Sequence, residues 1–238
     1  YSFGPVALGF LELDRVLTVS VIPGLRHSGR VAEKAVKEGK GLLVHLPMEP
    51  IEFPRHNPGH GAVFVEQEDK VVRTLVRNGL DGLLSAVGVN NHMGSRAMQD
   101  PRVMRIILEE VGGRGLFFLD SKTIAGHTPR DLADSLGVVC LENDLFWDTG
   151  YDEKEQILEK LDRLADIARL RGTAVGIGHP RAVTLEALKE KLPEFDELGI
   201  LLVPIADLVR GEIPAAPGGD PPDRPAPPAG RTAPSDSP

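Results

Sequence analysis

Short apolar runs rich in β-branched residues alternate with amphipathic stretches along the first 210 residues, and this alternation limits the fold more than any other feature. Leu17-Thr18-Val19-Ser20-Val21-Ile22 reads as a strand stopped by Pro23-Gly24, and Gly41-Leu42-Leu43-Val44-His45 as a second. Residues 85–90, 116–119, 138–141, 173–177 and 200–203 complete a set of about seven. Helical patterns lie between them. Val6 to Leu13 places Val6, Phe10 and Leu13 on one side. Ser28 is the expected cap of a helix ended by Gly39, and Glu66 to Asn78 is a helix closed by Asn78-Gly79. Asp100-Pro101 opens one that runs to Val111, Thr128-Pro129 another that stops at Gly137, Asp152 to Arg171 is the longest, and Thr184 to Lys191 follows. Strand and helix in strict turn describe a parallel α/β sheet or barrel.

The chain has 238 residues, enough for one domain of α/β-barrel size, and 41% hydrophobic with 26% charged residues is ordinary for a globular protein. A formal net charge of -8 argues against nucleic acid or an anionic membrane as the main partner, and leaves a sugar polymer open. The single cysteine, Cys140, has no internal disulfide partner and reads as a small buried hydrophobe. No apolar run is long enough to span a bilayer, and no secretory leader is visible. Tyr1-Ser2-Phe3-Gly4 does not resemble a translation start, so a fragment or processed product is expected. From Gly211 the composition turns to Pro, Ala and Gly, which implies a folded domain over 1–210 and a disordered tail over 211–238.

Parallel strands deliver their C-terminal ends to one rim, where barrel enzymes keep their chemistry. Four polar residues stand there: His45, His92 in Gly88-Val89-Asn90-Asn91-His92-Met93-Gly94-Ser95, Asp120 after Leu116–Leu119, and His179 after Gly176-Ile177-Gly178. His45 and His92 suit two of the three protein ligands of a catalytic zinc, or else a hydrogen-bonded rim network. Asp120 would orient a histidine, act as acid or base, or cap Ser121-Lys122-Thr123. His179, held before Pro180, suits proton donation to a leaving group. His27, His56, His60 and His127 are read as structural or surface residues. No Gly-rich phosphate loop, nucleophile elbow or dinucleotide fingerprint occurs, and no strand-end lysine supports a barrel aldolase.

His45-Leu46-Pro47-Met48-Glu49-Pro50, Asn57-Pro58-Gly59, Val89-Asn90-Asn91-His92-Met93-Gly94-Ser95, Phe118-Leu119-Asp120-Ser121 and Ile177-Gly178-His179-Pro180 resemble, in this order, the divergent polysaccharide deacetylases. The resemblance implies a distorted (β/α) barrel and removal of acetyl groups from a carbohydrate with a divalent metal, typically zinc, held by one Asp and two His. It makes His45 and His92 the metal histidines and His179 the general acid, with Asp120 a rim residue that orients a neighbour or touches substrate. Asn90, Asn91 and Glu49, inside the same blocks, fall to substrate binding. A periplasmic or secreted location follows from the same resemblance. In that family the first strand ends in an Asp-Asp pair followed by Gly-Tyr, and this chain begins at what resembles that Tyr, so the pair and the first strand are expected upstream. The rival reading is a non-catalytic deacetylase-like domain of the cell envelope that binds glycan or protein.

Overall fold

In the computed structural model, which describes residues 3–125, 129–150 and 153–212, five strands form a parallel sheet in the order β1 (Thr18–Val21), β2 (Gly41–Met48), β3 (Gly88–Met93), β4 (Phe117–Asp120) and β5 (Cys140–Glu142). The chain then bends from β4 towards a second piece. Asn143 N donates to Asp120 O at 2.9 Å and Asp144 N to Val175 O at 2.8 Å, and the short β6 (Leu145–Phe146) pairs in parallel with β7 (Gly176–Ile177). The strands thus wrap as an unclosed ring. Among the described residues neither the far edge of β1 nor that of β7 carries another strand.

Alternation along β2 builds two layers. Leu42, Val44, Leu46 and Met48 point outward with Val89, Phe118 and Cys140, and pack against α3 (Asp69–Asp81) and α4 (Pro101–Gly112) through Val72, Val76, Val103, Met104 and Ile107. Leu43, Phe117 and Leu119 face inward and meet Val175, Ile177 and the short α8 (Ile205–Arg210) through Ile205 and Val209. The gap in the ring is bridged outside by helices. On α1 (Pro5–Leu11), Gly9 lies so close to α7 (Ala182–Glu197) that a Cβ there would meet Leu185 Cδ2 at 2.4 Å. Arg15 Nη2 reaches Asp196 at 2.8 Å, and the nearly buried Lys40 ammonium donates to Leu13 O and Arg15 O. Burial lowers the Lys40 pKa. The rest of the helical shell is α2 (Ser28–Lys37), α5 (Arg130–Ser135) and α6 (Lys154–Arg171), the last packed on α7 through Ile157, Leu161 and Leu188.

The parallel α/β architecture expected from the alternation is the one observed. Several local expectations are not met. Residues 200–203 do not form a strand: Ile200 and Leu202 pack on the α6–α7 cluster, and α8 follows. Ser28 does not cap α2. Its hydroxyl donates to Ile22 O at 2.5 Å and accepts from Leu25 N at 3.1 Å, and the cap position falls to His27. Asn78-Gly79 lies inside α3, which continues to Asp81 because Gly79 and Leu80 are still packed inward. The helix from Thr184 runs past Pro193 to Glu197, held by buried Leu192 and Phe195 on either side of the proline. Asp100 does cap α4, accepting from Val103 N at 2.9 Å. Thr128, His127, Asp152 and the tail from 213 onward lie outside the described residues.

Candidate functional site

The register of β2 on β3 assembles the first half of the site. His45 lies beside Asn90, and Pro47 beside His92. His45 does not end its strand as expected, because the buried outward residues Leu46 and Met48 carry β2 three residues further. The inward positions of the two strands still bring the rings together. His92 Nδ1 is 3.1 Å from His45 Nε2, and the ring centroids are 4.8 Å apart at 63°. On its other side His45 Nδ1 meets Asn90 Oδ1 at 3.0 Å. Beyond His92 the backbone turns sharply through Met93 and Gly94, with φ of 56° and 90°. At Gly94 a Cβ would already stand 3.0 Å from Met48 Cβ, so the close crossing and the left-handed backbone both favour glycine.

Both rings are held neutral. Burial, then the charge His92 would carry, push His45 down to about 3, against a weaker upward pull from Asn90. Burial, then the charge of His179, lower His92. His179 also contributes to the shift at His45, so all three imidazoles share one electrostatic neighbourhood.

His179 is built differently. Asp148, fully buried, takes His179 Nδ1 on Oδ1 at 2.8 Å and His179 N on Oδ2 at 2.6 Å, and Thr184 Oγ1 donates to the same Oδ2 at 2.8 Å. An ionised carboxylate only accepts, so Nδ1 bears the proton and Nε2 is turned outward. Burial would raise the Asp148 pKa, but the hydrogen bonds from His179 and Thr184 outweigh it and the net shift is downward. The Phe146 ring lies nearly parallel to the imidazole, 6.2 Å away at 13°. Asp148 does not stand out in the sequence. Leu145-Phe146-Trp147-Asp148 does carry an apolar run ending in a carboxylate, but a two-residue strand is too short to show a period.

The remaining expected residues are buried. Asn90 and Asn91 are each 1% exposed and have almost no surface for substrate. Asn91 Oδ1 accepts from Ser121 N at 2.8 Å, and its Nδ2 donates to Met93 O at 2.8 Å. Glu49, equally buried, accepts from Val65 N and from Arg96, both at 2.7 Å, and so ties the rim loop after β2 to the loop after β3. Asp120 accepts from Lys122 N at 2.7 Å. On the pleat it falls with Phe118, on the opposite face from Leu119 and His45, and its charge acts on Cys140, whose thiol burial pushes up to about 12. His56 pairs with Glu52 at 2.9 Å on the exposed rim loop. Among the described residues no three His, Cys, Asp or Glu side chains gather as a metal-binding group, and no helix is long and apolar enough to cross a membrane.

Comparison with known proteins adds the following. A family model described as Divergent polysaccharide deacetylase matches residues 7–209. An uncharacterized protein of Haemophilus influenzae is 31% identical over 205 residues, covering 84% of this chain and 70% of its own length. The uncharacterized YibQ of Escherichia coli is 29% identical over 180 residues, covering 76% of this chain and 56% of its own. A crystal structure of an uncharacterized protein from Agrobacterium tumefaciens superposes with a TM-score of 0.74 at 24% identity, over 82% of this chain and 89% of that one. A putative cellobiose-phosphate cleavage protein of Enterococcus faecalis superposes with a TM-score of 0.58 at 17% identity, over 87% and 94%. At these identities the two structures speak for the fold.

Proposed function

The chain belongs to the divergent polysaccharide deacetylase family, and from that membership and the site we propose that it hydrolyses an acetyl amide or ester on a carbohydrate with the help of a divalent cation, zinc in the simplest case. The observation that carries this reading is the meeting of two neutral imidazoles, with nitrogens 3.1 Å apart, beside a third whose orientation a buried carboxylate fixes.

The donor set fits such a cation as far as it goes. Two nitrogens bound to one tetrahedral zinc sit about 3.3 Å apart, given bonds of roughly 2.0–2.1 Å, and neutral imidazole is the ligand form. His45 and His92 would hold the ion. When bound, the ion supplies Lewis acidity that polarises the acetyl carbonyl and acidifies water. A third ligand and a carboxylate base are to be sought on the unpaired side of β1, where one more strand would close the ring and end on the same rim.

The work of His179 follows from its partner. Asp148 holds the ring by Nδ1 and so leaves Nε2 as the nitrogen that can carry a proton to the departing amine or alcohol. Neutral His45 and His92 avoid adding positive charge beside it. A polymeric glycan substrate would place the protein in the bacterial cell envelope.

A glycan-binding domain without catalysis is the second reading, favoured by the missing third ligand among the described residues. The test is deacetylation of N-acetyl-chito-oligosaccharides, O-acetylated xylan fragments and a small aryl acetate by the full-length protein, with and without added zinc. Turnover lost in His179→Ala and in His92→Ala supports the hydrolase. Retained oligosaccharide binding with no zinc-dependent turnover supports the binding domain.

A further inference from the structure

The buried polar chain behind His45 determines which nitrogen of that ring bears its proton. A backbone carbonyl can only accept, so the Ser121 hydroxyl commits its single proton to Asn91 O, 3.0 Å away. The hydroxyl oxygen must then accept from the Asn90 amide at 3.1 Å, which makes the facing atom Nδ2. Asn90 Oδ1 is left against His45 Nδ1 at 3.0 Å and has no proton to give. The proton therefore resides on His45 Nδ1, and the lone pair on Nε2, the atom that faces His92. Asn90, Asn91 and Ser121 are 1%, 1% and 3% exposed, so bulk water is not at hand to replace a lost partner. Ser121 is itself fixed, since its N–H donates to Asn91 Oδ1 at 2.8 Å and its carbonyl faces Asn143 Nδ2 at 3.4 Å.

We propose that Ser121 is a positioning residue: its hydroxyl, acting through the Asn90 amide, selects the His45 nitrogen that presents a lone pair to the site. The functional consequence rests on the cation-binding reading above, whereas the tautomer is a property of the cation-free protein.

The test is a long-range proton–nitrogen correlation spectrum of cation-free, full-length protein labelled with ¹⁵N-histidine at neutral pH, which separates protonated from lone-pair ring nitrogens. The wild type is expected to show His45 as the single Nδ1–H tautomer. In Ser121→Ala the Asn90 amide loses the acceptor that orients it, and His45 is expected to divide between tautomers. A ring that offers its lone pair half the time weakens zinc binding about twofold. A loosened outer-shell partner adds to this, up to the range of roughly 10- to 100-fold. Asn90→Asp keeps an acceptor-only group against Nδ1, so it is expected to retain the pure Nδ1–H tautomer. A pure Nδ1–H tautomer with wild-type zinc affinity in Ser121→Ala overturns the proposal. So does an Nε2–H tautomer in the wild type, or mixed tautomers in folded Asn90→Asp, which decides the matter if Ser121→Ala does not fold. Absence of deacetylase turnover with the tautomer pattern as expected would count against the reaction and leave the role of Ser121 standing.

Discussion

Replacing Asp148 by Asn tests the half of the site that depends on a buried charge. The carboxylate accepts from His179 Nδ1, His179 N and Thr184 Oγ1, at 2.8, 2.6 and 2.8 Å. The amide of Asn keeps one acceptor oxygen, which suits the two donors already sharing Oδ2. Those bonds fall from charged to neutral strength, a loss of about 1 kcal/mol each. The NH₂ group then faces His179 Nδ1 and can be met only if the ring moves its proton to Nε2. Asp148→Asn is thus expected to cost about 2–3 kcal/mol, and Asp148→Ala about 3–5 kcal/mol, because three donors lose their partner. The sign with pH follows from the direction of the shift. The folded Asp148 pKa lies below its ordinary value, so its stabilisation is complete above the unfolded value of about 3.9 and is lost as pH falls through the lower folded value. The gap between wild type and Asp148→Asn in urea unfolding should be widest at neutral pH and close in strong acid. In the hydrolysis assay the variant should lose about 10²- to 10⁴-fold in kcat, the worth of a general acid, with KM little changed. Equal unfolding midpoints from pH 3 to 7 together with wild-type kcat would refute the reasoning.

Other expectations follow from single contacts. His45 has a folded pKa near 3 against about 6.5 unfolded, so the unfolded chain binds more protons between these values; the cation-free protein should lose about 1.4 kcal/mol per pH unit on acidification through that window, and His45→Gln should lack this contribution, so that the stability difference between the two proteins changes with that slope. At Gly178 a Cβ would fall 1.8 Å from Trp147 Nε1, so Gly178→Ala should lower stability by about 1–3 kcal/mol in thermal unfolding, through displacement of the indole. Glu49→Gln retains the shape but not the charge that holds Arg96 and Val65 N; it should cost about 1–2 kcal/mol in urea unfolding and leave KM for the acetylated glycan unchanged, whereas a raised KM with unchanged stability would return Glu49 to a substrate-binding role.

The sequence disclosed the alternation, and with it the parallel sheet, because inward and outward apolar positions on β2 to β4 repeat strictly enough to be read. It also disclosed the three imidazoles, since each follows or interrupts an apolar run at one rim. What it withheld depends on contacts far apart in the chain. Asp148 is 31 residues from its histidine, just past a strand only two residues long. Asn90 and Asn91 look like rim residues in sequence, yet both are buried and Ser121 and Thr123 hold their amides by hydrogen bonds, and partners about thirty positions away leave no local signal. Asp120 shows the limit of a strand-end rule: the rule finds the rim but not the face, and the pleat places this carboxylate on the side of Phe118. Helix ends failed where burial continued past the expected stop, as in α3 and α7, because packing of Leu80 and Phe195 outweighs a local signal from Asn-Gly or Pro.

The most direct measurement is an anomalous-scattering map at the zinc edge from crystals of the full-length protein grown with zinc. A peak at about 2.0–2.1 Å from His45 Nε2 and from a ring nitrogen of His92, with His179 alongside, is the expected result. A map with no peak there, and the His45–His92 hydrogen bond intact, would contradict the proposal that these rings form a cation site.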